Sequence, residues 1–185
     1  MKKFFIFLAL IALGFSQDPI EDLPDFTPPV SIRSIYSGDI LMSKDSKKPT
    51  PNWLIKEVFI PELAKMDFVE ITHKLGYVQF KHPEDENICI GIDESGFFMD
   101  KDCKQDIADK KYETVFSLMP TNTGAVQIRS LVQERGECIS VFLNPQLPKG
   151  RDFGIKPCGF SALALIELEG LMFIAPPFGT SVINN

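Results

Sequence analysis

The segment Val126-Gln-Ile128-Arg129-Ser130 has two earlier counterparts, Val78-Gln-Phe80-Lys81-His82 and Val30-Ser-Ile32-Arg33-Ser34. The three valines lie 48 and 48 residues apart, and so do the second apolar residue and the basic residue of each segment. In each copy two apolar side chains alternate with polar ones, which is the period of a strand with one buried face. That period puts Arg33, Lys81 and Arg129 on the opposite, wetter face.

Working outward, a second strand follows each copy at a similar offset: Ile40-Leu-Met42, Ile88-Cys-Ile90 and Cys138-Ile-Ser-Val141. Ser37-Gly38-Asp39, Glu84 to Asn87, and Arg135-Gly136 supply the intervening turns. A later apolar strand is expected at Trp53-Leu-Ile55, Val115-Phe-Ser-Leu118 and Leu163-Ala-Leu-Ile166. The units are therefore about 30–76, 77–125 and 126–175. Strands this short cannot bury their apolar faces one unit at a time. Sharing a centre and closing into a ring removes the exposed edges, so the pattern predicts an all-β, threefold barrel capped at one end by hairpins. Pro61-Glu-Leu63-Ala-Lys-Met66 is the exception, a helical turn with proline at its first position. The first unit is proline-rich and lacks cysteine, and is expected to be the most irregular and the loosest.

The chain has 185 residues, 25 acidic against 19 basic, a net charge of −6 and 44% apolar content. That is one globular domain rather than two, and too apolar for a disordered chain. Its negative charge argues against autonomous binding to nucleic acid or to anionic membranes. Lys2 and Lys3, the apolar run Phe4–Leu13, and the small residues Gly14 and Ser16 read as a signal peptide over residues 1–16, cut before Gln17. The exported chain would meet an oxidising compartment, where disulfides persist.

Four cysteines, Cys89, Cys103, Cys138 and Cys158, allow three connectivities. The sequential pairing is expected because each pair then falls inside one repeat, and each bond is worth roughly 3 kcal/mol by loop-closure entropy. Residues 17–29 carry four prolines and four acids with no base, and read as an extended acidic arm tipped by Leu23 and Phe26 before a single domain of residues 30–185. The arm is either a disordered lead-in or a segment that folds onto a basic partner.

Catalytic chemistry is scarce. His73 and His82 read as surface imidazoles out of ligand spacing, paired cysteines leave no thiol nucleophile, and no glycine-rich phosphate loop occurs. The acids of Glu84-Asp-Glu86, Asp93-Glu94 and Asp100-Lys-Asp102 read as solvated turns. No metal, cofactor or catalytic residue is expected. Sixteen phenylalanines are more than a small barrel easily hides, so Phe97, Phe98, Phe142, Phe153, Phe160 and Phe178 are candidate contact aromatics, with core packing as the other reading. Leu75-Gly-Tyr77-Val-Gln-Phe-Lys81 also fits a loose pattern proposed for sterol contact, although the same residues form a repeat strand.

Taken together, the Val126–Ser130 type of unit and its cysteine-flanked strand resemble the ricin B-like β-trefoil lectins. More narrowly, the chain resembles the C component of the cytolethal distending toxins. The likeness rests on Asp25-Phe-Thr27, Val30-Ser-Ile-Arg-Ser34, Asn52-Trp-Leu-Ile-Lys-Glu57, Gly76-Tyr-Val-Gln-Phe80, Glu113-Thr-Val-Phe-Ser-Leu-Met-Pro120 and Ala125-Val-Gln-Ile-Arg-Ser-Leu131.

The resemblance implies a tripartite secreted bacterial toxin in which a DNase I-like nuclease subunit is the active component. Two ricin-like, lectin-like subunits, this chain being one of them, would bind the host cell surface and assist delivery. It places the arm against the nuclease, where Asp18, Glu21, Asp22 and Asp25, with Leu23 and Phe26, would meet bases that otherwise hold DNA phosphates. The Gln-x-Trp signature of sugar-binding units is missing: the first later strand has Trp53, the second Phe116 and the third only aliphatic residues. That favours protein contacts over sugar pockets. A stand-alone secreted lectin and a secreted hydrolase are the alternative readings.

Overall fold

A computed structural model describes residues 28–43, 49–67, 69, 75–132, 136–146, 151–159 and 166–179. The signal segment, the arm residues Asp18, Glu21, Asp22, Leu23, Asp25 and Phe26, and also His73, Phe160 and Leu163-Ala-Leu165, lie outside the described residues. In chain order the elements are β1 (Ser31–Ser34), β2 (Leu54–Val58), α1 (Pro61–Met66), β3 (Tyr77–His82), β4 (Asp85–Ile92), β5 (Phe98–Asp102), α2 (Cys103–Ala108), β6 (Phe116–Pro120), β7 (Val126–Ser130), β8 (Glu137–Leu143), β9 (Arg151–Pro157) and β10 (Met172–Ala175). A 3₁₀ turn at Leu168–Gly170 precedes β10.

Strand pairing is antiparallel and traces a circuit. Val30 bridges Trp53, just before β2, through two 2.8 Å backbone hydrogen bonds. From there β2 pairs β3, β3 meets β6 at Val78–Phe116, β6 pairs β7, and β7 meets β10 at Val126–Met172. Finally β10 pairs β1 from Ser31–Ala175 to Ser34–Met172. The circuit returns to its start, so backbone donors and acceptors along it find partners without an open edge.

Corresponding residues of the copies have corresponding pairing partners. The leading valines face Trp53, Phe116 and Met172, and the basic residues face Ile40, Cys89 and Cys138. Outside the circuit lie the hairpins β4–β5 and β8–β9, the second with seven consecutive pairs from Glu137–Pro157 to Leu143–Arg151. In the first copy the corresponding strand is reduced to the Arg33–Ile40 bridge, so the Ile40–Met42 strand is corrected to a bridge followed by irregular backbone.

Ile32, Phe80 and Ile128, the second apolar residue of each copy, are wholly buried together with Trp53, Phe116 and Met172. Full burial of such side chains contributes about 1.5–3 kcal/mol each. The Trp53 indole donates to the Leu41 carbonyl at 3.1 Å, which satisfies its one polar group in the core. A second cluster, Ile60, Leu63, Tyr77, Tyr112, Val115 and Leu131, forms where α1 lies against the sheet. Pro61 sits in the first turn of α1, where its missing N–H costs nothing.

Polar residues within the strands tie the copies down. Gln79 Nε2 donates to the Cys103 carbonyl (2.9 Å) and the Thr114 hydroxyl (2.8 Å). Gln127, 48 residues later, donates to the Gly159 carbonyl and accepts from the Gly159 N–H (3.0 and 2.9 Å). Sulfur bonds join Cys89 to Cys103 and Cys138 to Cys158.

Several sequence expectations change. The described strand that pairs β1 and β7 is Met172–Ala175; of the expected Leu163–Ile166 strand only Ile166 is described, and it lies outside any strand. Arg129 is not on a wet face: it is fully buried, and its Nη1 donates to both carboxylate oxygens of Asp67 at 2.7 and 2.8 Å. His82 is likewise buried, its Nδ1 accepting from the Glu84 N–H. Asp100-Lys-Asp102 is strand rather than turn, and the Asp102 carboxylate caps α2 by accepting from the Lys104 and Gln105 N–H groups. The charged run around that helix hides it from a reading by apolar period.

Candidate interaction site

A cleft of about 290 Å³ opens where the turn between β4 and β5 meets the far end of the β8–β9 hairpin. Ser95, Gly96 and Phe97 form one wall; Phe142, Leu143, Phe153 and Ile155 form the other. The turn is set by Asp93, whose carboxylate accepts from the Ser95 and Phe97 N–H groups, both at 2.9 Å. This Asx-type closure explains an acid and a glycine at that tip. Gly96, with φ of +83°, holds the left-handed position that favours glycine, and its Cα side lies against Ile155.

Gly154 shapes the other wall. A Cβ on Gly154 would come within 2.8 Å of the Phe142 ring, so the bare backbone lets that ring lie flat across the hairpin. The Lys156 ammonium sits 5.1 Å from the Phe142 centroid and 3.3 Å from the Glu167 carboxylate. Phe97 is 54% exposed and Leu143 74%, while Phe153 is half-buried against the core. The result is an apolar groove with a charged rim, the surface composition of a contact site.

Of the six candidate aromatics, Phe97, Phe142 and Phe153 all line this groove, Phe142 with its ring on the Gly154–Lys156 face of the hairpin and Phe153 on the opposite, core-side face. Phe98 is corrected: it is 3% exposed and belongs to the core, because it pairs with Ile92 and points opposite to Phe97. Phe178 is 45% exposed but stands elsewhere. Its backbone exchanges two hydrogen bonds with the Asn52 side chain (3.0 and 2.6 Å), and Arg33 lies 5.5 Å from its ring. Asn52 adjoins Trp53, the partner of Val30, so Phe178 stands close to the start of β1.

Sequence reasoning missed Phe59, 90% exposed, and Leu143. Phe59 had a readable signal, since the two-residue period through Val58 and the buried Ile60 leaves it facing out. The sterol pattern is absorbed by packing: Tyr77 is buried and its hydroxyl donates to Asp67 at 3.1 Å. Burial first, then the Asp67 charge and that hydrogen bond, push the Tyr77 phenol well above its usual pKa. Among the described residues no group of three His, Cys, Asp or Glu is placed to hold a metal ion, and no helix is long and apolar enough to cross a membrane.

A family model described as the cytolethal distending toxin A/C domain matches residues 29–183. A search of curated protein sequences found no match. Among solved structures, a chain of the Haemophilus ducreyi cytolethal distending toxin superposes with a TM-score of 0.60 at 25% identity, covering 89% of this chain and 98% of that one. A chain of the Actinobacillus actinomycetemcomitans toxin gives a TM-score of 0.59 at 24% identity, covering 90% and 99%. A protein described as BEL beta-trefoil gives 0.52 at 9% identity, covering 84% and 97%, a likeness of fold alone.

Proposed function

Because the chain belongs to the cytolethal distending toxin A/C domain family, we propose that it is the C component of such a toxin. In this reading it is a non-catalytic binding and delivery partner of a nuclease subunit and a second lectin-like subunit at the host cell surface. The observation that carries the reading is the family match over residues 29–183, joined to a groove built from Phe97, Phe142 and Phe153. We read the three copies as the lobes of a β-trefoil; the recurring partners Trp53, Phe116 and Met172 support this. Met172 and Phe116 at the place of the lectin tryptophan favour protein contact over sugar capture.

Two surfaces divide the work. The groove between hairpins offers aromatic anchors to the second lectin-like subunit. The arm, leaving beside Phe178 and Arg33, reaches the nuclease with Asp18, Glu21, Asp22 and Asp25. Export through residues 1–16 delivers the mature chain from Gln17 onward.

The test is co-purification of residues 17–185 with the nuclease and the second lectin-like subunit. A stable ternary complex is expected, with no hydrolytic activity in the isolated chain. Phe97→Ala with Phe142→Ala should weaken assembly by about tenfold or more, and removing residues 17–29 should selectively lower nuclease affinity and raise its access to DNA. A monodisperse glycan-binding chain indifferent to both partners would replace this reading with the lectin.

A further inference from the structure

We propose that the two disulfides have different chemical roles, with Cys138–Cys158 open to thiol exchange in the native fold and Cys89–Cys103 a permanent bond. Both cysteines of the earlier pair, Cys89 and Cys103, are 0% exposed. Cys138 is 2% exposed, but Cys158 is partly exposed, and both line a cleft of about 520 Å³ with Gln127, Ser140, Lys156 and Glu167. Thiol–disulfide exchange needs a thiolate to reach a sulfur, so access selects the bond that is attacked. Local charge does not: Cys89 faces Lys101 and Cys138 faces Lys156 at matching ladder positions.

The co-reactant is a dithiol. Its thiolate attacks Cys158 Sγ, the S–S bond breaks, and Cys138 leaves as a thiolate that takes a proton. The second thiol of the reductant then displaces Cys158 from the mixed disulfide. The reductant ends as a disulfide and its two protons on the two protein thiols.

Opening this bond would spare the barrel. The β8–β9 hairpin keeps its seven ladder pairs, and Gly159 keeps two hydrogen bonds to Gln127. What loosens is Cys158 at the end of β9, then held by its N–H donating to the Gly136 carbonyl (2.7 Å). The cleft wall therefore becomes responsive to redox state while the core does not.

The experiment is native-state dithiothreitol reduction of the whole chain with pulsed iodoacetamide and peptide mass mapping. We expect Cys138 and Cys158 to be alkylated together, about tenfold or more faster than Cys89 and Cys103, with the far-UV spectrum unchanged. Hydrogen exchange should then rise at Cys158 and Leu168–Gly170 and stay level at Gly159 and in β3 and β6. The double variant Cys138→Ser, Cys158→Ser should fold. Equal labelling of all four cysteines, labelling only alongside loss of structure, or failure of that variant to fold would each overturn the proposal.

Discussion

Arg129 shows what a two-residue period misses. Alternation assigns it to the face opposite Val126 and Ile128, yet the side chain is buried because that second face is covered by the end of α1, where Asp67 sits. Nothing within β7 announces a partner 62 residues away, so the ion pair could not be read from the repeat. Tyr77 joins it through Asp67, and Val69 adds an N–H at 3.0 Å. Removing one partner strands a buried charge, so Arg129→Met should cost about 3–5 kcal/mol in urea unfolding. Adding Asp67→Leu to that variant should recover most of the loss; if the two losses simply sum, the pair is not coupled. Tyr77 gives a pH signature. Its folded phenol holds the proton above its ordinary pKa of about 10, so its contribution is complete below that pH and declines as pH rises further. Thermal scans from pH 8 to 11 should therefore fall more steeply for the wild type than for Tyr77→Phe, and parallel curves would remove Tyr77 from the account.

At the scale of elements, the hairpins decide which aromatics reach the surface. Phe97 and Phe98 are adjacent at the entrance to β5, so a strand must send them to opposite sides. Their order follows from register, since Phe98 faces Ile92 across the ladder and Ile92 is core. Sequence gives the alternation but not which ring turns inward, because β5 carries no repeat marker of its own. A pair of variants separates the roles: Phe98→Ala should lose about 3–5 kcal/mol, whereas Phe97→Ala should stay within about 0.5 kcal/mol. Equal losses in denaturant midpoints would mean that Phe97 is also structural. The capped helix α2 was equally hidden. Asp102 reads as a turn acid in a run of charges, and only its position at a strand end makes its carboxylate a cap for Lys104 and Gln105. Gly154→Ala tests the groove at this scale, because a methyl there must lift the Phe142 ring. Stability should change little, since a half-buried ring can swing aside, while the proposed assembly with the second lectin-like subunit should weaken as expected for Phe142→Ala.

For the whole molecule, the strand-rich pattern pointed to a curled β-sheet, and the described strand that pairs both β1 and β7 is Met172–Ala175. Apolarity alone does not single out Met172–Ala175, since Leu163–Ile166 is as apolar in sequence. Met172 is chosen by topology: it is the residue that reaches both Val126 on β7 and Ser34 on β1. β10 is therefore the only described strand that joins the third copy to the first, and its loss should undo more than its four residues. Ending the chain after Gly170 should abolish the cooperative thermal transition, because β1 and β7 would each expose an unpaired edge and the core would open at Met172. Met172→Ala is the milder form, with an expected loss of about 2–5 kcal/mol from a cavity at the centre of the barrel. The first copy sets the contrast. Its hairpin is one bridge between Arg33 and Ile40 and has no disulfide, so opening it breaks few hydrogen bonds. Native-state hydrogen exchange should show Ile35, Gly38 and Leu41 exchanging through local opening well below the global free energy, with β3, β6 and β7 exchanging only on complete unfolding. A single exchange free energy across all of them would mean that the first copy is as firmly held as its disulfide-bonded partners, and that closure through β10 rigidifies it from outside.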